Sequence, residues 1–214
     1  MLRIGVLVSG GGTNLQAIMD AIDNGTIPNA KIEIVVSSKK NAFALERAGK
    51  SSIASKVMSR SEYLTSDAFD IALSEEMRDH AIDLILLAGF MAILGPKFFV
   101  DFENKVMNIH PALIPAFSGP GYYGLKVHQA VLNYGCKISG ASVHFVTPEV
   151  DAGPLILQQA VAVQADDTPQ QLQKRIMEEA EWIIYPEAVR LFALGQLTVN
   201  GRTVIQRKLS KESE

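Results

Sequence analysis

The chain has 214 residues, 48% hydrophobic and 20% charged, enough for one sizeable core and one domain. A formal net charge of −3 excludes the basic stripe of a nucleic-acid binder, and no apolar run approaches the ~20 residues a membrane helix needs. One cysteine, Cys136, excludes an intramolecular disulfide framework; with an N-terminus that enters a strand pattern without a signal-peptide layout, it points to the cytoplasm.

Ile4 to Val8 reads as a central parallel strand. It breaks at Ser9-Gly10-Gly11-Gly12-Thr13-Asn14, and an amphipathic helix follows through Leu15, Ile18, Met19 and Ile22, with Thr13 or Asn14 as its cap. Next come a strand from Ile32 to Ser37, a short helix around Phe43 to Ala48 and an alternating run from Ile53 to Met58. A helix from about Asp67 to His80 carries Phe69, Leu73 and Met77 at helical spacing. Leu84 to Ala88 is another buried strand, and Phe98 to Phe102 a short helix. This rhythm predicts a Rossmann-like α/β fold, a doubly wound, mostly parallel open sheet with helices on both faces.

The stretch Val106 to Pro115 then organises the chain. It begins as a short apolar run that reads as a strand and ends in a segment broken by two prolines; Asn108 and His110, one residue apart, leave the same face of an extended chain. Pro111 biases His110 towards extended backbone and keeps the pair in register. A carboxamide and an imidazole thus stand side by side at a strand end, where open α/β sheets hold their ligands. Ala116 to Gly124, rich in Gly and Pro, reads as a surface loop, and Leu125 to Leu132 as a helix. Strands from Ala141 to Val146 and from Leu155 to Val163 flank a turn that holds Asp151. Thr168 caps a long helix with Pro169 at its first position, and Pro186 is expected to interrupt it after Tyr185. Asn200-Gly201 between apolar flanks predicts a type I′ hairpin.

The glycine loop lacks the third glycine and the acidic ribose ligand of a dinucleotide fingerprint, and no Gly-Lys-Ser/Thr follows it. It is either a cradle for one phosphate at a helix N-terminus or a tight turn without a ligand. Asp151 is a solvated loop acid unless the adjoining strand ends bring it to His110, where a carboxylate would favour the imidazolium. His144 either points into that site or sits satisfied in the sheet, and the second reading is preferred. His80 and His128 read as surface residues. Four histidines and one cysteine show no metal-ligand spacing, so no metal is expected.

Taken together, Ser9-Gly-Gly-Gly-Thr-Asn14, Leu87-Ala-Gly-Phe-Met-Ala-Ile-Leu94, Asn108-Ile-His-Pro-Ala-Leu-Ile-Pro115 and Asp151-Ala-Gly-Pro154 resemble the folate-dependent formyltransferases, over roughly residues 2 to 193. The glycine loop, the chain length and Glu181 in Glu181-Trp-Ile-Ile-Tyr-Pro186 are most similar to the branch that serves purine biosynthesis. The resemblance implies one formyltransferase domain, 1–208. It comprises a mononucleotide-binding half (1–100), a folate and catalytic half (101–195) and a C-terminal hairpin (196–208), with a disordered tail at 209–214. It implies 10-formyltetrahydrofolate as co-substrate and the amine of 5′-phosphoribosylglycinamide as acceptor, with small molecules as the only partners, no metal, no nucleic acid and no membrane, in a monomer or homodimer.

By the same resemblance, Asn108, His110 and Asp151 are catalytic: Asn108 and His110 stabilise a tetrahedral oxyanion, His110 or a water it orients with Asp151 moves the proton from the attacking amine towards the leaving folate nitrogen, and Asp151 orients His110 and raises its pKa. Gly11, Gly12, Thr13, Asn14 and Glu181 hold the ribonucleotide; Met91, Ala92, Ile93, Leu94, Asn108, Val146 and Asp151 hold the folate. Two departures stand out. Ala92 and Ser66 occupy positions where many members carry arginine, leaving Arg60 or Lys56 to substitute. A 10-formyltetrahydrofolate hydrolase would carry an extra N-terminal domain, and a methionyl-tRNA formyltransferase a basic C-terminal one. A non-catalytic binding module would need no proton shuttle.

Overall fold

The structure, a computed structural model, describes residues 1–207; position 208 and the tail expected at 209–214 lie outside the described residues. Five parallel strands form one side of the sheet: β1 (Leu2–Val8), β2 (Ala30–Ser37), β3 (Ala54–Val57), β4 (Leu84–Ala88) and β5 (Val106–His110). β6 (Ile138–Phe145) and β7 (Leu155–Ala162) continue it antiparallel, and the hairpin β8 (Leu197–Asn200) and β9 (Thr203–Gln206) completes it. Among the described residues the nine-stranded order is β3-β2-β1-β4-β5-β6-β7-β9-β8, an open, mostly parallel sheet as expected. The chain reverses its winding between β1 and β4, so the ligand crevice of such a fold opens beyond their carboxyl ends.

Alternation along the strands feeds two cores. Ile4, Val6 and Val8 of β1 and Leu84, Leu86 and Ala88 of β4 face one; Leu7, Ile85 and Leu87 face the other. The first core is covered by α1 (Thr13–Asp23), α2 (Phe43–Lys50), α5 (Leu125–Tyr134), α6 (Pro169–Ile176) and α7 (Trp182–Ala193). The second is covered by α3 (Ser66–Asp79) and α4 (Pro96–Phe102), through Phe69, Leu73, Met77, Phe98 and Phe102. Met107 and Ile109 of β5 enter the first core and Val106 the second, which leaves Asn108 and His110 together on the α3/α4 side. Tyr185, fully buried, reaches the carbonyls of Leu87 and Met107 at 3.0 and 3.1 Å and ties α7 to both strands.

Four local expectations are corrected. Gly12, not Thr13 or Asn14, is the cap of α1; its φ of 72° is left-handed, and an added Cβ would meet Ala44 Cβ at 2.7 Å. Pro186 does not end the last long helix. A π-helical stretch, Met177–Glu181, intervenes after α6, and α7 then runs through Pro186 to Ala193. The wider turn ending at Glu181 gives room where the proline ring would press on the Trp182 carbonyl. In the hairpin, Asn200 pairs with Thr203, so the turn residues are Gly201 and Arg202; positive φ falls on Gly201, the position a type II′ turn reserves for glycine. His128, expected on the surface, is fully buried beside Val127 and Val131 on the inner face of α5, and burial depresses its pKa to about 4. By contrast, Thr168 caps α6 as read, in a full capping box with Gln171.

Candidate active site

Strand pairing assembles the polar cluster. In the β5–β6 ladder Asn108 lies opposite His144 and His110 opposite Ser142, on one face. Asn108 Nδ2 is 3.2 Å from His144 Nε2, and His144 Nδ1 is 2.8 Å from the Phe145 carbonyl. A carbonyl only accepts, so His144 Nδ1–H donates to it, and Nε2 faces the Asn108 amide as its acceptor. One Asn108 N–H is thereby oriented while the second stays available as a donor. His144 therefore points into the site, against the preferred sequence reading. Ser142 Oγ donates to the Ala112 carbonyl at 2.7 Å and accepts the Ile114 N–H at 3.0 Å, which pins the turn after His110.

Asp151 is brought in by its turn. Gly153 lies so close to β6 that a Cβ there would sit 1.8 Å from the Phe145 carbonyl oxygen, and Asp151 itself adopts φ 54°. Its Oδ2 stands 3.5 Å from His110 Nδ1 and its Oδ1 3.7 Å from His144 Nε2. The 116–124 loop closes the arrangement: His110 Nε2–H donates to the Phe117 carbonyl at 2.8 Å, and the Gly119 N–H donates to Asp151 Oδ2 at 2.9 Å. Burial pushes the His110 imidazole below its ordinary pKa; Asp151 and the Phe117 carbonyl pull it upward without prevailing. The expected influence of Asp151 thus has the right sign, but desolvation outweighs it. For Asp151, burial alone would raise the carboxyl; the adjacent His144 and His110 rings and the Gly119 N–H together hold it below the usual carboxylate range.

The glycine loop faces a second buried carboxyl. Asn14 Nδ2 donates to Glu181 Oε2 at 2.7 Å, and Thr13 Oγ1 reaches Met177 Sδ at 3.8 Å. Both side chains are engaged by the π-helical stretch instead of capping α1. No side-chain cap and no acidic residue occupy the first turn of α1, so its leading N–H groups after Gly11 and Gly12 remain free to meet an anion. Burial lifts the Glu181 carboxyl to about 7, and the Asn14 hydrogen bond only partly offsets it.

Beyond β4, Met91 is 47% and Ile93 69% exposed, two large apolar side chains at the mouth of the crevice. Ala92 and Val146 are half-buried against the second core, and Leu94, at 4% exposure, belongs to that core and backs the segment. Lys56 is committed to an ion pair with Glu76, whereas the Arg60 guanidinium donates to Ser66 Oγ at 2.8 Å. Arg60 thus brings a cation to Ser66, and Lys56 does not.

An open α/β sheet with polar side chains converging at the carboxyl end of β5 is the arrangement in which doubly wound proteins hold small ligands. Residues 2–189 match the formyl transferase family. The chain is 41% identical over 197 residues to phosphoribosylglycinamide formyltransferase of Haemophilus influenzae, covering 92% of this chain and 90% of that protein. It is 42% identical over 201 residues to the trifunctional purine biosynthetic protein adenosine-3 of Chironomus tentans, covering 94% of this chain but 14% of that much longer one. The crystal structure of glycinamide ribonucleotide transformylase 1 from Symbiobacterium toebii superposes with a TM-score of 0.91 at 44% identity, covering 97% of this chain and 95% of that one. This chain belongs to the formyl transferase family and is a transferase.

Proposed function

We propose that this protein transfers the formyl group of 10-formyltetrahydrofolate to the amine of 5′-phosphoribosylglycinamide, the purine-biosynthetic step named in its relatives. The observation that carries the reading is the convergence of Asn108, His110, His144 and Asp151 at the carboxyl end of β5.

The roles follow from charge. The acceptor amine attacks the formyl carbon and leaves an oxyanion on a tetrahedral centre. The free Asn108 N–H stabilises that oxyanion, and a preorganised donor of this kind contributes ~2.7–4 kcal/mol. His110, neutral because burial lowers its pKa, accepts the amine proton at Nδ1. Asp151, kept ionised, stabilises the imidazolium so formed, and the proton returns to the folate nitrogen as that bond breaks. The N–H groups around Gly11, Gly12 and Thr13 hold the phosphate, and Asn14 and Glu181 the sugar and glycinamide side. Met91, Ala92, Ile93 and Val146 enclose the pterin with Leu94 behind them, and Asn108 and Asp151 face its formyl end. In this reading neither half of the chain serves one substrate alone, since Met91 lies in 1–100 and Glu181 in 101–195.

The test is to follow loss of the formyl group from 10-formyltetrahydrofolate with and without 5′-phosphoribosylglycinamide. Loss that requires the ribonucleotide is the expected result. Loss without any acceptor would make the protein a hydrolase, and no loss in either case would make it a binding module.

A further inference from the structure

Ser9 closes the β1 end and by sequence belongs to the glycine loop, yet its side chain serves another segment. It is buried at 5% exposure, and its Oγ lies 2.9 Å from the Met91 backbone nitrogen and 2.6 Å from Ser38 Oγ. An N–H can only donate, so Ser9 Oγ accepts from Met91. The bond spans the crevice where the winding reverses: β1 and β4 pair as far as Val8 and Ala88, and Gly89, at φ 74°, then turns the chain out of the ladder. Among the described residues no other hydrogen bond reaches the backbone of 91–94. One serine hydroxyl therefore tethers a segment that carries two exposed apolar side chains, Met91 and Ile93.

We propose that Ser9 is a positioning residue for the formyl donor and not for the phosphate, holding the Met91 backbone so that the apolar wall has a fixed place against the pterin. The proposal rests on the folate reading of Met91 to Leu94 given above. The phosphate cradle uses backbone N–H groups at the start of α1, beyond Ser9, and does not need the hydroxyl.

Steady-state kinetics with both substrates varied separates the two assignments. Ser9→Ala removes one oxygen, and the KM for 10-formyltetrahydrofolate should rise about five- to tenfold, the worth of one lost hydrogen bond, with the ribonucleotide KM within about twofold of the parent. Ser9→Cys, with a weak acceptor in the same place, should show the same split at smaller size. Ser38→Ala leaves the Ser9–Met91 bond and should leave the donor KM unchanged. Equal rises in both KM values, a rise confined to the ribonucleotide, or a Ser38→Ala effect as large as that of Ser9→Ala would overturn the proposal. Ile93→Asp controls the wall itself. If it leaves the donor KM unchanged, the folate reading of the segment fails and the role of Ser9 with it. If it raises the donor KM and Ser9→Ala does not, the wall stands and only the role of Ser9 is lost.

Discussion

Asp151 Oδ2 stands 3.5 Å from His110 Nδ1, yet the imidazole titrates below its ordinary value because burial outweighs the carboxylate. At neutral pH His110 is therefore an uncharged base with its counter-ion already in place. The acid limb of the kcat/KM profile should fall at a lower pH than a free imidazole would give. Asp151→Asn removes an influence that raises the pKa, so the limb should move lower still, while kcat drops by about 10²-fold or more. Activity against pH for parent and variant checks both; a limb that moves upward in Asp151→Asn would contradict the assignment.

Asn108 and His144 should separate by size of effect. Asn108→Ala removes the proposed oxyanion donor and should cost ~10²–10³ in kcat. His144→Phe removes the partner that orients the amide and a neighbour of Asp151, and should cost about two- to tenfold. Rapid-quench measurement of formyl transfer at saturating substrates reads both directly. Equal losses would mean that His144 acts on the reacting atoms itself.

Glu181 ties the acceptor site to stability. Its carboxyl titrates at about 7 in the folded protein against 4.5 for an ordinary glutamate, so the folded state binds the extra proton between those limits. Stability then declines as pH rises through that window and stays low above it. Glu181→Gln keeps an acceptor for Asn14 without the charge. Its melting temperature should equal or slightly exceed that of the parent near pH 5 and exceed it by a few degrees at pH 8. A difference independent of pH would show that the carboxyl is not the titrating group.

Gly12 is constrained twice, by a left-handed φ of 72° and by Ala44 at 2.7 Å from an added Cβ. Gly12→Ala should cost about 1–3 kcal/mol of stability from backbone strain alone. The displaced loop should also raise the ribonucleotide KM more than the donor KM. Calorimetry and two-substrate kinetics on the one variant test both parts.

The sequence by itself determined the parallel strands, because apolar runs such as Leu84–Ala88 are buried on both faces and need no partner to be legible. It also determined that Asn108 and His110 share a face, since strand periodicity is local and Pro111 protects it. The start of α6 was readable because Thr168, Pro169 and Gln171 act within one turn of one another. What only the tertiary structure decided depends on long-range pairing. The site role of His144 exists because β6 meets β5 in a register that sets it opposite Asn108, and one residue of slip would turn it to the other face. Thr13 and Asn14 look like caps but are drawn away to Met177 and Glu181 by a helix from the far end of the chain. His128 lies inside because the face of α5 that packs inward includes it. Local patterns carry backbone periodicity; the side-chain partners that turn a strand end into a site come from segments brought together only by folding.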